Sequence, residues 1–369
     1  MQKSIIGYGS IFHKEDPIQF TKESDSSFLG EHQLFYAGRY AIKHIIHGIA
    51  RHKKIATIWL PNYYCPFVKK WLEQEFNSIK YYDVDPFDAD VEIAWSSFSS
   101  SDVVLANNYW GIKQFTIPEG KRPTIIEDHS HGWLSKGCIE SKADFCIASL
   151  RKTIPVPLGG IAWKPKTSSC SIPMPLMENK ELNAENPMVM AWNYIDKAMT
   201  KKAVCEHQNQ KEEFLSAYGE GEMLLRNTQA IYPLKKQHEA IIRNFLFKDY
   251  NAYKKRHLAL IETKLTPSNM FKVVSSKNNV PFGLLVAFKD REMLNDFKQH
   301  LISNDIYPAE LWPQNQIAQE YKYLLNVHID YRYNEQDLSY FAEIINKWQP
   351  QTLFMDSQDD SGTKSVLSK

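Results

Sequence analysis

No stretch of this chain reaches the roughly 18 consecutive apolar residues needed to span a bilayer. Its opening segment, MQKSIIGYGSIFHKED, lacks the apolar run of a secretory signal. Cysteine is scarce too. The five present (Cys65, Cys138, Cys146, Cys170, Cys205) include no CxxC pair and are odd in number, which argues against a disulfide framework or a structural zinc site. Reduced thiols in a cytoplasmic protein are the expectation. An excess of one charge is also missing: 44 basic residues face 43 acidic ones, a formal charge of +1. No global field draws the chain to nucleic acid or an anionic membrane, so any anion must be caught locally. No GxGxxG follows the first strand-like run, which sets a nicotinamide enzyme aside. No internal repeat is present.

What remains is an ordinary globular composition, 43% apolar and 24% charged over 369 residues. Residues 1–30 are polar and irregular and read as a lead-in segment. From Arg39 onward Ile42, Ile45, Ile46 and Ile49 recur at helical spacing. IATIWLP (55–61), IKYYDV (79–84), DVVLAN (102–107), TIIED (124–128) and DFCIAS (144–149) read as strands, with a helix carrying Phe67, Val68, Trp71 and Leu72 between the first two. Apolar strands alternating with helices predict an α/β fold, a mostly parallel central sheet flanked by helices, over a large domain of residues 31–250. Residues 186–260 look mostly helical, with Met188, Trp192, Ile195 and Met199 on one stripe. A smaller C-terminal α+β domain follows over 251–349, with strands in PFGLLVAFKD (281–290) and LLNVHID (324–330) and a last helix opening at Asn334. From Pro350 the polar composition predicts a disordered tail, 350–369.

Ligands of such sheets bind beyond the carboxyl ends of the strands, which directs attention to Asn107, Asp128 and Ser149. Three signals lie in order along the chain. Gly38 and Arg39 in AGRYAIKHII precede a helix whose N-terminal N–H groups can receive an anion, although a glycine there is ordinarily a simple turn. Asp128 ends a buried strand in TIIEDHSHG, where a carboxylate requires a cation or good donors; it could equally serve as a cap or in a salt bridge. A metal site of Asp128, His129 and His131 is disfavoured, because in an extended segment the two histidines point to one side and the aspartate to the other. Lys152, three residues beyond Ser149 and ahead of two prolines and Gly159-Gly160, sits where burial and nearby cations can make a lysine nucleophilic. The bland alternative is a solvated surface lysine. Arg151 can only form ion pairs there.

Together these segments resemble the DegT/StrS-type sugar aminotransferases among the fold-type-I enzymes dependent on pyridoxal phosphate (PLP), over about Phe35 to Trp348. The resemblance implies that Ala37-Gly38-Arg39-Tyr40 cradles the cofactor phosphate together with Ser149. It implies that Asp128 pairs with the pyridine nitrogen and that Lys152 holds PLP as a Schiff base and acts as the catalytic acid and base. LPNYYCPFV (60–68) resembles the segment that lays an aromatic ring on the cofactor; Tyr64 or Cys65 occupies that place, and Tyr64 has the π face. The family often has a glutamine where this chain has His131, which can donate the same bond to the cofactor's phenolic oxygen.

By the same resemblance the expected activity is transfer of an amino group from an amino acid, glutamate first, to a nucleotide-linked keto-sugar, as in polysaccharide biosynthesis. The expected assembly is a homodimer with a shared active site, the partner's contribution lying in 186–230 around Asn193 or Asn227. Rival readings are other PLP chemistry, such as a lyase or dehydratase, and ligand binding without turnover.

Overall fold

The computed structural model describes residues 6–88, 90–178, 180–276, 279–312 and 318–350. Most of the tail read from Pro350 lies outside them. A seven-stranded sheet forms the larger unit. Its strands are β1 (Leu29–Phe35), β2 (Ile58–Pro61), β3 (Ile79–Tyr82), β4 (Val103–Asn107), β5 (Thr124–Asp128), β6 (Phe145–Ala148) and β7 (Gly160–Pro165). The order is β1-β7-β6-β5-β4-β2-β3, with parallel pairing from β3 through β6. β7 runs antiparallel between β6 and β1. Four of the five strands predicted for this sheet are longer in sequence than in space, β4 by Asp102 alone. IATIWLP pairs only from Ile58 and IKYYDV only to Tyr82, while β6 spans Phe145–Ala148 inside DFCIAS. Two members of the sheet, β1 and β7, have no counterpart among the predicted strands, and β1 begins inside the segment read as a lead-in.

Helices α1 (Gly38–Ala50), α2 (Pro66–Glu73), the short α3 (Lys136–Ile139), α4 (Pro187–Ala203), α5 (Gln208–Asn227) and α6 (Lys236–Phe245) accompany this sheet. The isoleucine stripe of α1 is buried as its period requires, with Ile42, Ile45, Ile46 and Ile49 no more than 1% exposed. α4 and α5 form a hairpin, and Met188, Trp192, Ile195 and Met199 of α4 are buried. No described helix is long and apolar enough to cross a membrane.

A four-stranded antiparallel sheet, in the order β10-β11-β9-β8, forms the smaller unit. It comprises β8 (Lys272–Val274), β9 (Leu284–Phe288), β10 (Ala309–Glu310) and β11 (Tyr323–Val327), covered by α7 (Tyr250–Glu262), α8 (Arg291–Ser303) and α9 (Glu335–Lys347). Asn334, where the sequence opens the last helix, caps α9, and its box partner Asp337 returns a reciprocal bond. Its own apolar core includes Phe288, Phe297, Leu325, Leu338 and Phe341. The N-terminal segment is packed rather than detached. Tyr8 bridges to Ile306, Phe20 is buried among Phe245, Tyr250 and Tyr331, and the Ile11 carbonyl accepts from both Lys202 and Arg332.

Buried histidines make this fold sensitive to acid. His238, stacked on Trp192 at 4.1 Å, and His328 are both pushed down to about 4, chiefly by burial. Their unfolded value lies near 6.5, so between roughly pH 6.5 and 4 the unfolded chain binds the additional protons and stability falls as pH drops. The melting temperature is expected to decline across that window, and His238→Gln to flatten part of the slope. A flat melting profile down to pH 4 would contradict the assignment.

Candidate active site

The carboxyl ends of the parallel strands open onto a cleft of about 480 Å³ between the two units. One side is built by the first turn of α1. Here the backbone comes so close to neighbouring chain that side chains are excluded. A Cβ on Gly160 would stand 2.3 Å from the Ala37 carbonyl carbon and 2.6 Å from the Gly38 nitrogen. On Gly38 it would meet Ser149 Cβ and N at 3.1 Å. Gly159-Gly160 therefore does more than turn the chain: it lets β7 lie directly against the mouth of α1, with Gly159 bridged to Ala37. Gly38, Arg39 and Ser149 all line the cleft.

Arg39 and Tyr40 differ from their neighbours. The Arg39 guanidinium turns to the Leu225 carbonyl and lies against Tyr40, Phe67 and Trp71, with Nε lacking a partner among the described residues. Its polar head is spent on α5. Tyr40 does not line the cleft at all. Helical rotation carries its ring against Trp71 and its hydroxyl to the Thr228 carbonyl at 3.0 Å, leaving only its backbone near the turn.

Asp128 closes β5 and is 4% exposed. Its Oδ1 accepts from the Ser130 N–H at 2.7 Å and its Oδ2 from the Tyr64 hydroxyl. The turn that this Asp128–Ser130 bond starts, completed by the Gly132 N–H bonding back to the His129 carbonyl, overturns the extended geometry expected of DHSH. Asp128 and His131 both face the cleft, whereas His129 leaves it for Asn108. His129 instead joins Glu127 and Cys146 in a fully buried cluster, where Ser141 bonds both Glu127 and the thiol and burial raises the Cys146 pKa. Asn107, also singled out as a strand end, is buried and does not reach the cleft.

Tyr64 and Cys65 both line the cleft. Tyr64 is placed as a donor to Asp128, its ring 5.6 Å from that of Trp312. Burial and the Asp128 charge hold its phenol protonated, well above the ordinary tyrosine range.

Lys152 ends a 3-10 turn, Leu150–Lys152, directly after β6. Its Nζ lies 3.0 Å from His131 Nε2. The His131 ring is sandwiched among Trp110 at 5.3 Å, Phe282 at 4.6 Å and Trp312 at 5.2 Å. Burial, with Lys152 and Lys254 nearby, lowers the His131 pKa well below its ordinary value, so the ring is neutral. A neutral ring accepting from Lys152 at Nε2 carries its proton on Nδ1, which has no partner among the described residues. The Lys152 pKa is lowered as well, first by burial and also by Arg151, while Cys65 and Asp128 oppose the shift. Two of the tryptophans around this pair, Trp110 (φ 59°) and Trp312 (φ 57°), have left-handed backbone, a costly conformation for aromatic residues that needs support from the packing around it.

Several cleft residues have no counterpart among the sequence-derived candidates. Tyr218, Glu222 and Arg226 of α5 recur at i, i+4, i+8 in YGEGEMLLR, a face that could have been read as one polar stripe. Arg151 donates to Tyr218 at 2.7 Å and to Glu222, and Arg226 lies 3.7 Å from the same carboxylate. Part of the stretch 186–230 thus lines this chain's own cleft, through Tyr218, Glu222 and Arg226 of α5. Phe282, Glu310, Trp312 and His328 come from the smaller unit, far away in sequence.

No family model matches the sequence, nor does any curated protein. Solved structures do resemble the fold. Spr1654 from Streptococcus pneumoniae, a proposed sugar aminotransferase in its PMP form, aligns with 95% of this chain and 94% of its own at TM-score 0.56 and 10% identity. DesI in the presence of its TDP-sugar product aligns at TM-score 0.55 and 11% identity, over 90% of this chain and 84% of its own. A DegT DnrJ EryC1 StrS aminotransferase from Brucella abortus aligns at TM-score 0.51 and 11% identity, over 86% and 85%. The chain therefore has the fold-type-I architecture of PLP-dependent transferases, in the form these sugar aminotransferases take.

Proposed function

We propose that this chain is a PLP-dependent aminotransferase, moving an amino group from an amino acid, glutamate first, to a nucleotide-linked keto-sugar. One observation carries the reading: a half-buried lysine amine and a buried aspartate, from neighbouring strand ends, face one cleft whose far wall is a glycine-walled helix mouth.

The residues fit the cofactor. Both oxygens of Asp128 already accept one bond, yet a carboxylate can accept about four, leaving room for a pyridinium N–H. The backbone of the α1 turn, Ser149 and the arginines facing Glu222 supply donors and positive charge for a phosphate. The orphaned His131 Nδ1 is a donor in want of an acceptor. When bound, PLP supplies an electron sink that acidifies the carbon bearing the amino group.

This chain's own residues do the rest. Burial keeps a share of the Lys152 amine uncharged, so that Nζ can act as a nucleophile and then take and return a proton. His131, neutral and 3.0 Å away, holds that amine in place and offers no competing positive charge. Tyr64 holds Asp128 oriented, and Trp312 with Phe282 shields the amine from bulk water. Exposed Arg226 on α5, beside half-exposed Phe67, lies at the open rim of the cleft, which suits a second copy completing the site.

The test is spectroscopic. Purified protein supplied with PLP is expected to gain a visible absorption band that borohydride fixes to a lysine, and glutamate is expected to bleach it. A band that no amino acid alters would support binding without turnover instead.

A further inference from the structure

The face of β5 turned away from the cleft carries a second group of side chains with coordinating atoms. Glu127 on β5 and Cys146 on β6 are register partners in a parallel pair, so their side chains share one face of the sheet. The His129 N–H continues the ladder to the Ile147 carbonyl at 2.8 Å, which keeps His129 beside Glu127 and opposite to Asp128. The three are 2%, 0% and 0% exposed, and none of them lines the cleft.

Glu127 Oε2 stands 3.3 Å from His129 Nε2, and the carboxylate oxygen, ring nitrogen and Cys146 sulfur all lie within 4.8 Å of one another. Ser141 Oγ bonds the carboxylate and sits 3.2 Å from the sulfur. Two features are unusual for a core. Among the described residues no lysine or arginine pairs with Glu127, and His129 Nε2, aimed at the group, has no hydrogen-bond partner. A buried carboxylate without a cation is costly, and buried polar atoms are ordinarily bonded.

We propose that Glu127, His129 and Cys146 form a structural zinc site, with Ser141 Oγ at the fourth position. Charge and ligand type both select the ion. One carboxylate and one thiolate balance a divalent cation, and oxygen, imidazole nitrogen and sulfur together suit Zn²⁺ rather than Mg²⁺ or Ca²⁺. Bonds of about 2.0–2.3 Å to tetrahedral zinc place ligand atoms roughly 3.3–3.8 Å apart, so the group contracts by about 1 Å across its widest span. Binding releases the Cys146 proton, which burial and the Glu127 charge otherwise hold on the sulfur. It also requires the ring proton on Nδ1, so the Asn108 amide, 3.0 Å away, turns its oxygen to that proton. That turn gives up the 3.1 Å bond from the Lys113 N–H, a loss the metal bonds exceed. The ligands come from two strands and a turn, which is why no CxxC spacing announces them. The site ties β5 to β6 at the root of the turn bearing Asp128 and His131, and it stands or falls independently of the aminotransferase reading.

The test uses the full-length protein without a histidine tag, beside Cys146→Ser and His129→Gln, each expressed in zinc-supplemented medium and dialysed. Elemental analysis should find about one zinc per parent chain and about five-fold less, or lower, in each variant. Stripping the zinc should lower the melting temperature of the parent and leave the variants unmoved. Expressed with Co²⁺ instead, the parent should show a thiolate-to-cobalt band in the near ultraviolet and the visible bands of a tetrahedral site, and Cys146→Ser should lack the first. A parent without zinc, or equal zinc in parent and variants, overturns the site. Should both variants fail to fold, the cobalt spectrum of the parent decides, because among the described residues this is the one group of three such ligands; a spectrum with no thiolate band overturns the proposal.

Discussion

A Lys152→Ala variant supplied with PLP is expected to show no borohydride-fixable band, and its amine transfer to fall by roughly 10⁴-fold or more. The effect is large because no other described lysine is placed to substitute. Lys254 lies behind Phe282, with its ammonium over that ring rather than against His131 Nε2. Stability should change little by comparison. The substitution removes a partly desolvated charge and leaves a neutral His131 nitrogen without its bond, opposing effects of about 1 kcal/mol each. A melting curve close to that of the parent, together with loss of the band, separates chemistry from folding. Retention of the reducible band in the variant would show that another lysine carries the cofactor.

Asp128→Asn should lower turnover by about 10²–10³-fold, because it removes the negative charge proposed to face the cofactor's pyridine nitrogen while keeping a side chain of the same shape. Asp128→Ala should add a folding cost of roughly 1–3 kcal/mol, since the buried Ser130 N–H and Tyr64 hydroxyl both lose their acceptor. Tyr64→Phe is the control. It deletes one of the two bonds to Asp128 and keeps the charge, so its turnover should stay well above that of Asp128→Asn. Steady-state kinetics beside thermal melts of the three variants distinguish these outcomes. Equal losses in Tyr64→Phe and Asp128→Asn would mean that orientation, not charge, is what the site needs from Asp128.

The legible parts of this protein were those set by local patterning. The isoleucine period of α1, the apolar runs of β4 and β5 and the Asn334 cap of α9 each depend on residues a few positions apart, and each stands where the sequence put it. β7 was hidden because GIAWKP opens on the second glycine of Gly159-Gly160 and has no alternation to mark it, buried as it is on both faces between β6 and β1. DHSH misled for a different reason. Period-two reasoning assumes an extended chain, and the bond from the Ser130 N–H to the Asp128 carboxylate folds it into a turn, moving His131 to the side of Asp128.

The sequence by itself determined that Gly38, Asp128, Ser149 and Lys152 belong to one edge of a parallel sheet, because strand ends and helix starts of an α/β fold necessarily gather there. Only the tertiary structure decided what those residues meet. Tyr64 bonds Asp128, α5 brings Glu222 to Arg151, the smaller unit lays Phe282 beside His131 with His328 on the same Phe282 ring, and Arg39 spends its guanidinium on a carbonyl of α5. Each of these contacts joins positions tens to hundreds of residues apart. Their geometry comes from how helices and sheets pack, which no spacing along the chain encodes.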